Sequence, residues 1–248
     1  PSRSRMDQTQ ATRRAKEVVT IHDLTYELLT ETIAPDVLRL RGLVTRALDR
    51  GAHVITPSET ARTTVLDFYR LPPERVTATR LGVNRAWFLA EPATPTWLTN
   101  QHLPQDYIIF VGGLDPRKNL PRLIAAHAAL RAEDPNTPDL VLAGPAGRET
   151  GLEGPGVHRT GFLADEALRS LVAGARALAL PSLDEGFGLP ILEALACGRP
   201  VLTADLPVLT EVAGPHANPG DPHDVDSLAA ALAATLAEPD DLEQRQAR

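Results

Sequence analysis

Residues 181–200 read PSLDEGFGLPILEALACGRP, and the rest of the chain is organised around them. Two acids, Asp184 and Glu185, run into Gly186–Phe187–Gly188, after which Pro190 opens a short helix. Proline is tolerated in a first helical turn because its missing N–H has no intrahelical partner there. Glu193 lies inside that helix and Gly198 stops it. Gly186 and Gly188 let backbone N–H groups come close to a ligand, and the helix N-terminus adds partial positive charge. Such a turn suits an anion such as a diphosphate. Carboxylates touching that anion would repel it, so Glu185 and Glu193 serve better as acceptors for hydroxyl hydrogens. A diphosphate with hydroxyl-rich groups on either side is a sugar nucleotide. The bland alternative is a tight turn beside two glutamates that fall at this spacing by chance.

Outward from this motif the chain alternates strands and helices. Val18–Ile21 reads as a short buried strand ending at His22 and Asp23. Pro35 opens a helix with apolar Val37, Leu40, Val44 and Leu48, closed by Gly51. Val54–Thr56 is the next strand, Ser58 caps a helix running to Tyr69, and Val76–Thr79 is a third strand. After a Pro- and Thr-rich stretch the pattern resumes with Tyr107–Val111, a helix capped by Asn119, and strands Leu140–Ala143 and Val157–Thr160. A helix capped by Asp165 leads to strand Ala177–Leu180 and the opening motif. Residues 200–202 and an amphipathic helix over Val225–Leu236 follow. Strand–helix alternation predicts an α/β fold with two parallel, Rossmann-like sheets, the first only half complete. The expected division is a partial N-terminal domain at 1–90, a linker at 91–106 and a C-terminal nucleotide-sugar-binding domain at 107–248.

Composition narrows the classes of function. At 248 residues with 43% apolar and 4% aromatic side chains, the chain is globular and can bury a sizeable core. No apolar run reaches the length of a membrane span, and PSRSRMDQTQATRRAK is not a signal peptide. The one cysteine, Cys197, excludes an internal disulfide and fits a reducing, cytoplasmic setting. A net charge of −7 argues against a nucleic-acid partner. Residues 1–90 nevertheless carry 14 basic and 10 acidic side chains, against 11 and 22 in the remainder. That asymmetry fits an ordinary solvated face first, with a peripheral contact to an anionic membrane face or an anionic acceptor as the functional reading.

The other candidates also fall at strand ends, where ligands bind in open α/β sheets. They are His22, Gly112 and Gly113, Arg117 and Lys118, Gly144, Gly161 and Phe162, and the loop from Ser182 to Glu193. Arg117 and Lys118 directly precede a helix N-terminus, where a cation is disfavoured by about 0.3–1 kcal/mol. Their position is sensible if an anion sits between them and the helix. Asp224-Val-Asp226 has the form of a metal-binding pair, but its place at a helix start favours capping. No cluster has metal-ligand spacing, so neither a metal nor another cofactor is expected.

The motifs taken together resemble the retaining glycosyltransferases of family 4, from about Val18 to Leu236. The resemblance rests on IHDL, VITPSE, RLGVN, VGGLDPRKN, LAGP, TGFLADEAL, the Glu185-x7-Glu193 run and TEVAG. It implies a GT-B architecture and transfer of a hexosyl group, with retained anomeric configuration and no metal. The donor would be GDP-mannose or a UDP-sugar, and the acceptor a glycan, lipid-linked or small-molecule hydroxyl. His22, Glu185 and Lys118 would be catalytic. Gly112, Gly113, Arg117, Lys118, Gly144, Gly161, Phe162, Glu185–Leu189 (Gly186, Phe187 and Gly188 between them) and Glu193 would hold the donor. Many members carry Arg where this chain has Gly113, so one of the usual two cations is missing there. Relatives begin earlier and end later, so the chain is expected to be a fragment, a naturally short homologue, or one completed by a partner chain or a dimer. Two further readings stand beside this one: a nucleotide-sugar-binding fragment without turnover, and a nucleotide-sugar epimerase of the same fold.

Overall fold

The computed structural model describes residues 16–28 and 38–238. Its elements in order are β1 (Val18–Thr20), α1 (Thr25–Leu28), α2 (Arg39–Asp49), β2 (His53–Thr56), α3 (Glu59–Tyr69) and β3 (Val76–Ala78). Two short helices follow, α4 (Arg85–Phe88) and α5 (Pro95–Asn100). Then come β4 (Tyr107–Val111), α6 (Leu120–Glu133), β5 (Asp139–Ala143), β6 (Val157–Gly161), α7 (Asp165–Gly174) and β7 (Ala177–Leu180). The described chain ends with α8 (Leu189–Ala196), β8 (Val201–Ala204), α9 (Pro207–Ala213), β9 (Ala217–Gly220) and α10 (Val225–Leu236).

The strands form two all-parallel sheets, one in the order β1-β2-β3 and one in the order β6-β5-β4-β7-β8-β9. The four central strands of the larger sheet read YIIFV, DLVLA, ALAL and VLTA, and nearly every residue in them is buried. Continuous apolar strands are what a parallel sheet covered by helices on both faces requires. The order reverses between β4 and β7: the chain winds outward through β5 and β6, returns, and winds the other way through β8 and β9. Strand ends at such a reversal diverge and leave a crevice. The α/β architecture with two parallel sheets agrees with the expected fold class.

Several local expectations are revised. The helix expected from Pro35 begins, among the described residues, at Arg39, and Pro35 and Val37 lie outside them. The stretch 91–106 holds α5, and its buried Leu98 and Leu103 join Trp87 in the larger sheet's core. Thr94 caps α5 by accepting from the Trp97 N–H at 3.2 Å, a capping role for the threonine of this Pro/Thr-rich segment. Asp165 is the first residue of α7, not its cap. Ser58 caps α3 and Asp224 caps α10, accepting in the latter from the N–H groups of Asp226 and Ser227. Helix α9 and strand β9 have no clear periodic signal, because both are short and β9 contains Pro219.

Candidate functional site

The crevice at the sheet reversal brings together the loops after β4 and β7. Leading out of β4, Pro116–Lys118 forms a single 3-10 turn that aims two cations across the gap. Lys118 Nζ donates to Glu185 Oε1 at 2.6 Å, and Arg117 Nη1 donates to Glu185 Oε2 at 3.0 Å and to the Asp184 carbonyl at 2.6 Å. Ser182, fully buried, donates its hydroxyl to Glu185 Oε1 at 2.7 Å. The Leu183 N–H closes the junction on the Arg117 carbonyl at 2.9 Å. Burial pushes the Glu185 carboxyl upward, but Lys118, Arg117 and Ser182 outweigh it and hold it below the ordinary carboxylate range. Glu185, expected to accept hydrogen bonds from sugar hydroxyls, is the centre of an ion-pair cluster here, its side chain only 9% exposed.

Glycines make this crevice narrow. Gly112 and Gly144 have φ of 151° and 152°, a region that side chains rarely enter. A β-carbon on Gly144 would stand 1.9 Å from the Gly112 carbonyl oxygen, so the ends of β4 and β5 touch through backbone alone. Gly112 N–H donates to Ala143 O and Gly144 N–H to Gly161 O, which sets the three glycine-marked strand ends side by side. A β-carbon on Gly112 would lie 3.6 Å from Lys118 Cε, placing this edge beside the cationic cluster. Gly113 has no such role, its nearest foreign atom being an Asp115 carboxylate oxygen.

The smaller sheet reaches the same loop. Gly186 packs on the backbone of His22, whose side chain is exposed. Thr25 donates its hydroxyl to Asp184 Oδ2 at 2.7 Å, while Asp23 accepts from the Thr25 N–H at 3.0 Å. Asp23 therefore serves its own turn. His22 and Arg117 line one cavity of about 650 Å³ that also runs along β1.

Other expected donor-binding residues stand apart from the cluster. Glu193 is half-buried on α8; burial, aided by the charge of Asp165, pushes its carboxyl up. Phe162, just beyond Gly161, is 78% exposed at the end of β6, and Leu189 is 39% exposed. Phe187 is buried and lines a small cavity with Leu192, Val212 and Glu211. Gly188 has φ of 97° and is the residue before α8, where a β-carbon would meet Leu209 at 2.8 Å.

Two residues hold the loops together in roles that the sequence does not show. Asn119 was expected to cap α6; its φ of 60° and its buried side chain serve another purpose. Its Nδ2 donates to the carbonyls of Pro181 and Pro222, tying the β4 loop to the β7 loop and to the approach to α10. Ser182 could have been noticed as a small hydroxyl three residues before Glu185. Among the described residues, no group of three His, Cys, Asp or Glu side chains is arranged to hold a metal ion.

Comparison with known proteins matches residues 105–238 to the family described as glycosyl transferases group 1. The O-antigen chain mannosyltransferase B of Escherichia coli is 31% identical over 236 residues, covering 90% of this chain and 62% of that protein. The MMP alpha-(1->4)-mannosyltransferase of Mycolicibacterium hassiacum is 31% identical over 204 residues, 76% of this chain and 46% of its own. Among solved structures, Anabaena HepE in complex with UDP and glucose superposes with a TM-score of 0.70 at 23% identity, over 94% of this chain and 64% of HepE. The chain thus spans less than two thirds of the length of these relatives.

Proposed function

The chain belongs to the group 1 glycosyltransferases, and on that premise we propose that it forms the donor-binding part, and some of the acceptor side, of a retaining hexosyltransferase. The observation that carries this reading is the convergence of Arg117 and Lys118 on Glu185 where the strand order of the larger sheet reverses. Two cations beside backbone-only strand ends form a site for a diphosphate, and the carboxylate between them waits for hydroxyls. The donor is GDP-mannose or a UDP-sugar. Relatives named as mannosyltransferases favour the first, and HepE, solved with UDP and glucose, the second. The acceptor is a hydroxyl of a glycan, a lipid-linked glycan or a small molecule.

Each residue then has a physical task. The incoming diphosphate competes with Glu185 for Lys118 and Arg117, the latter taking the place of the cation missing at Gly113. Released from one or both cations, Glu185 accepts hydrogen bonds from the donor sugar. Backbone N–H groups of Gly186–Leu189 meet the sugar and phosphates, and Gly112 and Gly144 leave room for them. Gly161 and Phe162 border the base, while Glu193 accepts from the ribose hydroxyls. As the glycosidic bond breaks, negative charge grows on the departing phosphate. Each preorganised cation lowers that barrier by about 3–4 kcal/mol. His22 approaches the reacting sugar from the smaller sheet, and the departing phosphate oxygen takes the acceptor's proton.

In this reading residues 1–90 form the acceptor-side domain, 91–106 the connection and 107–248 the donor domain. No helix among the described residues is long and apolar enough to cross a membrane. We place the protein in the cytoplasm, at the inner membrane face, with the basic N-terminal part toward anionic lipid. Calorimetry with UDP, GDP and their sugars is the test, and a chain that binds none of them would end the proposal. A second reading is donor binding without turnover. Release of sugar or transfer product from the donor by this chain alone would reject that reading, and product analysis separates transfer from epimerisation.

A further inference from the structure

Helix α3 belongs to the smaller sheet, yet the larger one completes its cap. Within its own segment Ser58 accepts the Ala61 N–H at 3.0 Å, which leaves the N–H groups of Glu59 and Thr60 unsatisfied. Both donate to Glu211 of α9, Glu59 to Oε1 at 2.9 Å and Thr60 to Oε2 at 2.8 Å. The Thr60 hydroxyl adds a third bond to Oε2 at 2.7 Å, and Arg80 Nε stands 3.7 Å from Oε1. The Glu211 side chain is only 16% exposed. A carboxylate on a helix N-terminus gains from charge-assisted hydrogen bonds and from the helix dipole together.

This contact is one of several that cross the seam among the described residues. Others are the Thr25–Asp184 hydrogen bond, the Ser58 hydroxyl donating to the Gly186 carbonyl at 3.5 Å, and the packing of Gly186 on the His22 backbone. Separated contacts of this kind fix the mutual orientation of two bodies, and among these Glu211 contributes several hydrogen bonds and a charge. We propose that Glu211 is a positioning residue: by capping α3 from across the seam, it holds His22 and Thr25 against the Asp184–Gly186 loop. The catalytic consequence rests on the function proposed above; the mechanical part does not.

Amide hydrogen exchange on the whole chain separates the two. In Glu211→Gln, which keeps an acceptor but loses the charge, exchange at Glu59 and Thr60 is expected to rise roughly tenfold, within the range spanned by a lost cap. Exchange at Thr25 and at 184–186 rises with it. Ala61, bonded to Ser58, and strand β4 keep the wild-type rate. A change confined to Glu59 and Thr60 would reduce Glu211 to a cap and overturn the proposal, as would no change at all. Thr60→Val, which removes one bond and no charge, should reproduce the pattern more weakly, and its failure to do so counts against the latch if Glu211→Gln does not fold. For sugar transfer, Glu211→Gln is expected to lower kcat about tenfold with nucleoside diphosphate affinity unchanged. An equal loss in both would show that Glu211 supports the donor pocket and does not align the two sheets. Absence of nucleotide binding by the wild-type chain would defeat the function proposed above, while leaving the exchange result to decide the latch.

Discussion

The carbonyl oxygen of His22 lies 2.4 Å from where a β-carbon on Gly186 would stand. No side chain fits between the end of β1 and the loop after β7, so the two sheets meet here through bare backbone. The φ of Gly186 is not in the left-handed region, and its need for glycine comes from this approach alone.

Gly186→Ala therefore isolates the seam. The added methyl must push the β1 end away, while the larger sheet keeps its own packing. Thermal unfolding of the larger sheet should shift little, by less than about 1 kcal/mol, as for a surface substitution. Sugar transfer should fall by tenfold or more, because misplacement of a reacting group by about 1 Å can cost a hundredfold. Steady-state rates and a melting curve on the same preparation check both halves.

Glu185→Gln gives a contrasting result. It leaves Lys118 and Arg117, 13% and 23% exposed, facing each other without their carboxylate. Breaking a buried pair from one side costs about 3–5 kcal/mol, and the partial exposure of Arg117 puts this case near the lower end. Urea unfolding should record that loss. Nucleoside diphosphate should bind the variant at least as tightly as the wild type, since the anion no longer competes with Glu185, and transfer should be abolished. Weaker diphosphate binding measured by calorimetry would contradict the assignment of these cations.

Gly144→Ala tests the crevice itself. With a β-carbon 1.9 Å from Gly112 O and φ of 152°, the strand ends must separate. A destabilisation above about 4 kcal/mol, among the largest for single substitutions, is expected in denaturant titration.

Acid should weaken the fold through two carboxylates in particular. Glu185 is nearly buried and Glu211 half-buried, which works against their ionisation, yet their cationic and N–H partners hold both below the ordinary carboxylate range. Their stabilisation is complete above the unfolded value, about 4.3, and is lost as pH falls through the depressed folded values. Glu193 has the opposite sign: burial raises it, so its contribution is present in acid and fades as pH rises through the raised value. Stability measured against pH should thus be less acid-sensitive in Glu185→Gln, with a slope lower by up to about 1.4 kcal/mol per pH unit on the acid limb. Glu193→Gln should be more stable than wild type at pH near 7.

Cys197 should be inert in the native state. It is 4% exposed, donates its thiol to the Trp87 carbonyl, and burial pushes its pKa up to about 11. Alkylation at pH 8 should proceed only as the chain unfolds, which a mass-shift assay across a urea series will show.

Much of the fold was legible because its signals are local. Tyr107–Val111, Ala177–Leu180 and Val225–Leu236 appear at the bounds expected from their apolar periods, and Ser58 and Asp224 cap within three residues of their own positions. Gly112 and Gly144 were legible as the ends of the apolar strands β4 and β5, but not as contacts of each other. Asn119 misled the local reading, since an amide before a helix looks like a cap whatever else it bonds.

By itself the sequence determined the alternation of parallel strands and helices, and which residues stand at the carboxyl ends of the strands. Those properties follow from period, capping and backbone freedom, each of which acts over a few residues. The tertiary structure alone decided that Glu185 faces Arg117 and Lys118, 68 and 67 residues away, and that Glu211 caps a helix 151 residues earlier at Thr60. Such pairs exist only after the sheet order has folded distant loops onto one crevice. A carboxylate's partner is set by that topology, and no local property of the chain encodes it.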